Sequence, residues 1–138
     1  MAESALAVTF DPNSDEGREA LGIPTSEFPG LAQVHFVPFR YRSGDDASCL
    51  NLYAPREPRI LGAPRSFVEA GRFSFQDSIA SGASREENPW RLLESAPVDG
   101  AIPAIGDANT IQYILHLSLG SVLTVRGDGN AQVRLRLV

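Results

Sequence analysis

The sequence contains no lysine and a single cysteine. All twelve basic residues are arginine, for which a GC-rich genome is the simplest explanation, because arginine codons are richer in G and C. Cys49 stands alone and cannot form an internal disulfide, so it neither supports nor excludes an oxidising compartment. The net charge of −5 disfavours binding to nucleic acid, because phosphate affinity depends on basic patches.

Long apolar segments are also missing. No apolar run approaches the roughly 18 residues that a membrane-spanning helix needs. The amino-terminal residues MAESALAV lack the basic start and the long apolar stretch of a secretory signal. A chain of 138 residues is long enough for one hydrophobic core. We therefore predict one domain over residues 1–138.

Motifs for common catalytic and metal sites are not found. His35 and His116 are the only histidines, and without HExxH or Cys–His spacing they give zinc no support. No serine stands in a Gly-x-Ser-x-Gly frame, and no glycine motif cradles phosphate, so this chain would not itself hydrolyse ATP. Residues 11–17, DPNSDEG, begin like a calcium loop, but Gly22 stands where the loop needs glutamate, and helix capping explains them better. We assign no residue a catalytic, cofactor-binding or metal-binding role.

One cluster keeps an enzymatic alternative open. The stretch GDDASC at residues 44–49 puts two adjacent carboxylates, Asp45 and Asp46, close to Cys49. This thiol could act as a nucleophile only beside a base, for which His35 and His116 are the candidates. Adjacent aspartates in a loop usually stabilise turns, and cysteine is commonly buried. We therefore favour a structural loop here.

Local patterns predict an α+β fold, with a mixed or antiparallel sheet and short helices separated by irregular loops. Asp11, Asn88 and Asp107 are predicted helix N-caps, and Gly22 and Gly120 are predicted helix stops. Pro38 lacks a donor N–H and should lie at a strand edge or bulge. Strands are predicted at 5–10, 32–42, 60–61, 72–79, 103–107, 121–125 and 131–138, and helices at 12–21, 66–71, 88–94 and 107–119.

The middle of the chain is rich in aromatic residues. Phe67, Phe73, Phe75 and Trp90 all fall within residues 67–90. Packing in the core is the default expectation for such side chains. A carbohydrate platform or a partner surface requires several of them to be exposed together. These residues keep open a second alternative, a small binding module.

Two stretches carry a resemblance to a known family. Residues 103–138 read as a short strand, a helix, Leu-Gly and a hairpin whose strands are rich in valine and leucine. Residues 39–53, FRYRSGDDASCLNLY, are followed by PRILG at 58–62. Together they resemble the extracytoplasmic, periplasmic-core domain of ABC-transporter permeases of the FtsX/MacB type, over about residues 2–138. Ser121 departs from the pattern, because many relatives carry an acidic residue after the Leu-Gly.

The resemblance implies a non-catalytic extracytoplasmic domain of a bacterial cell-membrane protein, which couples the ATPase cycle to periplasmic partners or to substrate export. The expected fold is α+β, like the MacB periplasmic core, and no cofactor is expected. Expected partners are transmembrane helices of the same full-length chain, the ABC ATPase subunit reached through them, and a periplasmic adaptor or a second copy. The chain would then be an excised fragment, which suits its end in mid-strand and its single methionine. Its contact surfaces would lie at the Arg40–Asp46 loop and at residues 81–88.

The enzymatic alternative is tested at Cys49. We expect this thiol to react slowly with a thiol reagent at neutral pH in the native chain and rapidly after unfolding. Labelling that stays fast well below the usual cysteine pKa of about 8.5 would instead indicate an activated thiolate and would favour an enzyme.

Overall fold

Short elements make up an α+β chain with two small sheets, one antiparallel and one mixed. The computed structural model describes residues 8–44, 58–80, 88–127, 129 and 131–138. Within these residues, none of the helices has the length and apolar character required to cross a membrane. The helices are α1 (Asp15–Ala20), α2 (Arg65–Ala70), two 3₁₀ helices (Pro29–Gln33 and Pro89–Glu94) and a π-helical turn (Thr110–Ile114), and the strands are β1 (Arg40–Arg42), β2 (Ile60–Gly62), β3 (Ala101–Ala104), β4 (Val122–Arg126) and β5 (Gln132–Leu137).

The chain is divided into two compact units. The first ends at Pro38 and the second begins at Phe39. The first unit contains α1 and the 3₁₀ helix Pro29–Gln33. Helix α1 begins later than predicted, because its N-cap is Ser14, whose hydroxyl accepts a hydrogen bond from the Gly17 amide at 3.0 Å. Asp11 instead closes the preceding turn, in which its carbonyl accepts from the Ser14 amide at 3.1 Å. The predicted N-cap at Asp11 and the helix start at Pro12 are therefore wrong.

The predicted end of α1 is confirmed at Gly22. This residue has φ +72°, a left-handed conformation that glycine adopts without steric cost. Its amide donates to the carbonyl of Glu19 at 3.0 Å, and the amide of Ile23 donates to that of Arg18 at 2.9 Å. This pair of bonds is the Schellman pattern that satisfies the last carbonyls of a helix.

Arg18 is the buried charge of the first unit, with 7% of its surface exposed. Its guanidinium donates to the Pro12 carbonyl at 2.9 Å and reaches Thr25 Oγ1 at 3.4 Å and the Val34 carbonyl at 3.5 Å. Asp15 lies 3.8 Å from it and supplies an opposite charge. Since these acceptors come from separate segments, one side chain holds together the turn, the helix and the chain after the 3₁₀ helix.

Most of the predicted strand at 32–42 is wrong. Only Arg40–Arg42 forms a strand, and β1 pairs antiparallel with β2, with Tyr41 opposite Leu61. Further upstream the backbone bonds to a side chain rather than to a neighbouring strand. Asn13 accepts from the Phe36 amide at 2.8 Å and donates to its carbonyl at 2.9 Å. The strand begins after Pro38, which has no N–H to contribute to a ladder.

Two other predicted strands are not found. Residues 8–10 of the predicted strand 5–10 are not in a strand, and residues 5–7 lie outside the described residues. The stretch 72–79 is irregular, because Phe73 has φ +71° and this turns the chain out of the extended conformation. In contrast, the predictions of a strand at 60–61 and a helix at 66–71 are confirmed by β2 and α2.

The larger sheet of the second unit has the order β3-β5-β4. Strand β5 pairs parallel with β3 and antiparallel with β4, so that Leu135 stands between Ile102 and Leu123. The predicted hairpin is confirmed, and the strand predicted at 103–107 lies two residues earlier, at Ala101–Ala104. Leu137 and Val125 are 5% and 4% exposed and mark the buried face.

The helix predicted at 107–119 is shorter and of a different kind. Asp107 is confirmed as its cap, because its carboxylate accepts from the Thr110 amide at 3.0 Å and from the Thr110 hydroxyl at 3.1 Å. The π-helical turn then ends at Ile114, and His116 has φ +52°. Gly120 is therefore not the helix stop. It lies in the turn before β4, where its amide donates to the Leu137 carbonyl at 2.9 Å.

Gly22 and Gly30 provide a matched test of the conformation that ends α1. A Cβ at either position meets no atom within 4 Å, but only Gly22 has a positive φ. We expect Gly22→Ala to lower the free energy of unfolding of the first unit by about 1 kcal/mol, the cost of a left-handed alanine. The control Gly30→Ala should leave it unchanged or raise it by less than about 1 kcal/mol. Denaturation followed by NMR signals of residues 8–38 measures both, and equal losses would contradict the prediction.

Candidate functional site

Four aromatic residues noted in the sequence come together in the second unit. The rings of Phe67 and Trp90 lie 4.7 Å apart at 77°, and those of Phe75 and Trp90 lie 5.1 Å apart at 78°. Phe73 lies 6.0 Å from Phe67. Phe39, which was not counted with them, joins at 4.9 Å from Phe67. Edge-to-face contacts of this kind add to the stability given by burial, so these rings form a packed cluster.

Two short helices hold the centre of this cluster. Phe67 belongs to α2, and Trp90 belongs to the 3₁₀ helix Pro89–Glu94. Asn88 connects them, because its side chain accepts from the Trp90 amide at 3.1 Å and donates to the Val68 carbonyl at 2.7 Å. It thus caps the 3₁₀ helix, as predicted, and also satisfies a carbonyl of α2.

The Trp90 indole fixes the next segment. Its Nε1–H donates to the Arg72 carbonyl, which ties the chain immediately before Phe73. Gly71, with φ +57°, ends α2 in the left-handed conformation. A Cβ there would lie 3.2 Å from the Asn88 side chain. Close packing at Gly71 and the indole bond together set the direction in which Phe73 leaves the helix.

Beside the cluster lies an open cavity of about 960 Å³, which we call the aromatic cleft. Its aromatic wall consists of Phe67, Phe73, Phe75 and Trp90. Residues 104–109, residues 111 and 112 of the π-helical turn and residues 117–119 provide the opposite side, and Leu137 and Val138 at the end of β5 also line it. Cavities of this size accommodate small organic ligands, and apolar lining with a few polar groups is typical of binding sites.

The wall opposite the rings depends on one close approach. A Cβ at Gly106 would lie 2.6 Å from Ile111 Cδ1, so glycine lets the π-helical turn fold back against the segment after β3. The Thr110 carbonyl accepts from the Leu115 amide, and the Ile111 carbonyl accepts from the Leu117 amide, each at 2.9 Å. Single turns of π-helix occur frequently at functional sites.

The polar groups of the aromatic cleft are carboxylates, amides and hydroxyls. Asp77 accepts from the Ser78 amide at 2.9 Å, and Asp107 accepts from Thr110 as described. Among the described lining residues there is no histidine, cysteine or arginine.

The residues considered for an enzyme are not brought together within the described ranges. Asp45, Asp46 and Cys49 lie outside the described residues, as do residues 81–87 of the second predicted contact surface. His35 is exposed in the first unit, and His116 is exposed in the second. Arg40–Arg42, predicted as part of the first contact surface, forms strand β1. Across residues 8–44, 58–80, 88–127, 129 and 131–138, no three His, Cys, Asp or Glu residues form a metal-sized group.

Three features of the site were missed in the sequence. The π-helical turn could not be told from an ordinary helix by the spacing of Ile111 and Ile114. The Gly106 contact depends on a rotamer of Ile111. The left-handed Phe73 carries no sequence signal, although its position directly after Gly71-Arg72 placed it near a helix end.

Comparisons with protein-family models, with curated proteins and with solved structures find no significant match to this chain.

Asn88 provides a test of how the cluster is held. We expect Asn88→Ala to lower the free energy of unfolding of the second unit by about 1–3 kcal/mol, because the Trp90 amide loses its partner and the Val68 carbonyl keeps only the longer bond from the Gly71 amide, at 3.3 Å. Asn88→Ser should lose less, since serine also caps a helix but does not reach Val68. The control Asn109→Ala, at an exposed residue, should change stability by less than about 0.5 kcal/mol. Denaturation followed by Trp90 fluorescence measures all three, and an equal effect of Asn88→Ala and Asn109→Ala would contradict this account.

Proposed function

We propose that this chain is the extracytoplasmic domain, over residues 1–138, of an ABC-transporter permease of the FtsX/MacB type. In this proposal it is a non-catalytic module of a cell-membrane protein, located in the periplasm. It relays the cycle of the ABC ATPase, through transmembrane helices of the full-length chain, to a periplasmic adaptor, a second copy or an exported substrate.

The observation that supports the proposal is the fold of the segment that carries the resemblance. Residues 101–137 form a short strand, a single helical turn and a hairpin, in the order that the resemblance implies. The three strands join in one sheet with the last strand in the centre. A module that transmits movement has to resist deformation, and a central strand bonded on both sides suits that requirement because it cannot be displaced without breaking two ladders.

The packing of the second unit also suits a mechanical role. The aromatic cluster joins α2, the 3₁₀ helix Pro89–Glu94 and Phe39 through edge-to-face contacts. The backbone bond from the Val138 amide to the Ala104 carbonyl, at 3.1 Å, extends the pairing of β5 and β3 beyond the last strand residue. Such a unit would move as a body when it is pulled by helices anchored in a membrane.

The proposal makes a prediction about the full-length gene and the position of the domain. We expect the reading frame to continue into apolar runs of about 20 residues, enough to span a bilayer. In a full-length protein whose cysteines are removed, a single cysteine at exposed Ser26 should react with a membrane-impermeant maleimide in cells whose inner membrane is intact. The same variant of residues 1–138, produced in the cytoplasm, is the control and should react only after lysis.

Two results would contradict this function. One is a reading frame that stops after Val138 and encodes no apolar run before Ala2. The other is labelling of the full-length protein only after the inner membrane is disrupted. Either result would favour the alternatives, a binding protein or an enzyme built around Cys49.

A further inference from the structure

One residue that lines the aromatic cleft departs from relaxed backbone geometry. Phe73 has φ +71°, a conformation that bulky residues rarely adopt. Unusual conformations of this kind are unfavourable in energy and cluster at ligand-binding and active sites. The occurrence of one at this cavity points to a binding role for it.

The left-handed backbone conformation of Phe73 directs its apolar ring into solvent. Phe73 is 75% exposed, although its neighbours in the cluster, Phe67 and Trp90, are half-buried. Burial of the ring therefore does not offset the cost of its backbone. A ligand that covers the ring would bury this apolar surface, and burial of apolar surface is favourable by roughly 25 cal/mol per Å².

The angles between the ring planes indicate which class of ligand suits the aromatic cleft. Trp90 stands nearly perpendicular to both Phe67 and Phe75, at 77° and 78°. Rings at right angles form a corner, as in the aromatic cages that surround ammonium groups.

Charge points to the same class of ligand. The described lining contains the carboxylates of Asp77 and Asp107 and no arginine or histidine. Asp107 is exposed and accepts hydrogen bonds from the uncharged amide and hydroxyl of Thr110. Aromatic faces also carry negative potential. A positive group is therefore attracted by the rings and by the carboxylates together, and an anion is disfavoured by both.

We propose that the aromatic cleft binds an organic cation with an apolar body, whose ammonium group lies between the aromatic corner and Asp107. The proposal is independent of the permease setting, since it requires only the second unit. Cation–π attraction is worth about 0.5–2 kcal/mol, which corresponds to a preference of roughly twofold to thirtyfold over a neutral ligand of the same shape.

Three probes of one shape test the proposal. They are para-hydroxyphenyltrimethylammonium, para-tert-butylphenol, in which carbon replaces the charged nitrogen, and the anion para-hydroxybenzenesulfonate. Trp90 is the only tryptophan, so its indole N–H gives one NMR signal that reports binding directly. We expect the cation to bind at least fivefold more tightly than the neutral probe, in keeping with the range for cation–π contacts, and the anion to bind most weakly. Equal affinities, a preference for the anion, or no shift with any probe would overturn the proposal.

Variants locate the site without disturbing the fold. Phe73→Gly removes the ring and suits φ +71°, so it should weaken binding of the cation severalfold while the chain stays as stable. Asp107→Asn keeps the acceptor for Thr110 and removes the charge, so it should reduce the preference for the cation and leave the affinity for para-tert-butylphenol unchanged. Tyr113→Ala, at an exposed aromatic residue outside the lining, is the control and should bind as the parent does. Unchanged cation binding in both Phe73→Gly and Asp107→Asn would place the ligand elsewhere and overturn the assignment.

Discussion

The pairing of β5 on both edges is the constraint on which the larger sheet of the second unit and the aromatic cleft depend. A strand at a sheet edge is bonded on one side only, whereas β5 bonds to β3 on one side and to β4 on the other. The bonds continue past the strand, because Leu137 donates to the Ser121 carbonyl at 3.0 Å and Val138 donates to that of Ala104 at 3.1 Å. These two bonds fix the chain at both ends of the segment that forms the wall opposite the rings.

In the first unit, separate segments are held together by a side chain and not by a paired strand. None of its described apolar side chains is fully buried, and its buried side chain is the charged Arg18. Removing a guanidinium from water is costly unless its donors find acceptors. Arg18 finds them in backbone carbonyls and a hydroxyl from separate segments. Because arginine presents several donors in a planar fork, one residue can hold together residues 8–38, which form no strand.

Local signals predicted those elements whose bonds are local. The end of α1 at Gly22, the cap at Asn88 and the hairpin of β4 and β5 each depend on residues close in sequence, and each is confirmed. The strands predicted at 32–42 and 72–79 failed for the opposite reason. The bonds of Phe36 go to the side chain of Asn13, and the Arg72 carbonyl accepts from the indole of Trp90. Both partners, Asn13 and Trp90, are distant in sequence from the segments they bond to, so no periodic pattern in those segments indicates them.

The same reasoning explains why the cleft could be anticipated only as a collection of aromatic residues. The sequence indicates Phe67, Phe73, Phe75 and Trp90 as a group of aromatic residues. It does not indicate the angles between their rings, which decide whether the rings form a flat platform or a corner. Those angles follow from α2 and the 3₁₀ helix Pro89–Glu94 being joined at Asn88. Within the cluster, Phe67 and Phe75 make the close perpendicular contacts with Trp90, whereas Phe73 lies farthest, 6.0 Å from Phe67 and tilted by 39°. The ring that contributes least to packing is thus also the most exposed one, so a surface for binding is present without loss of the contacts that hold the cluster together.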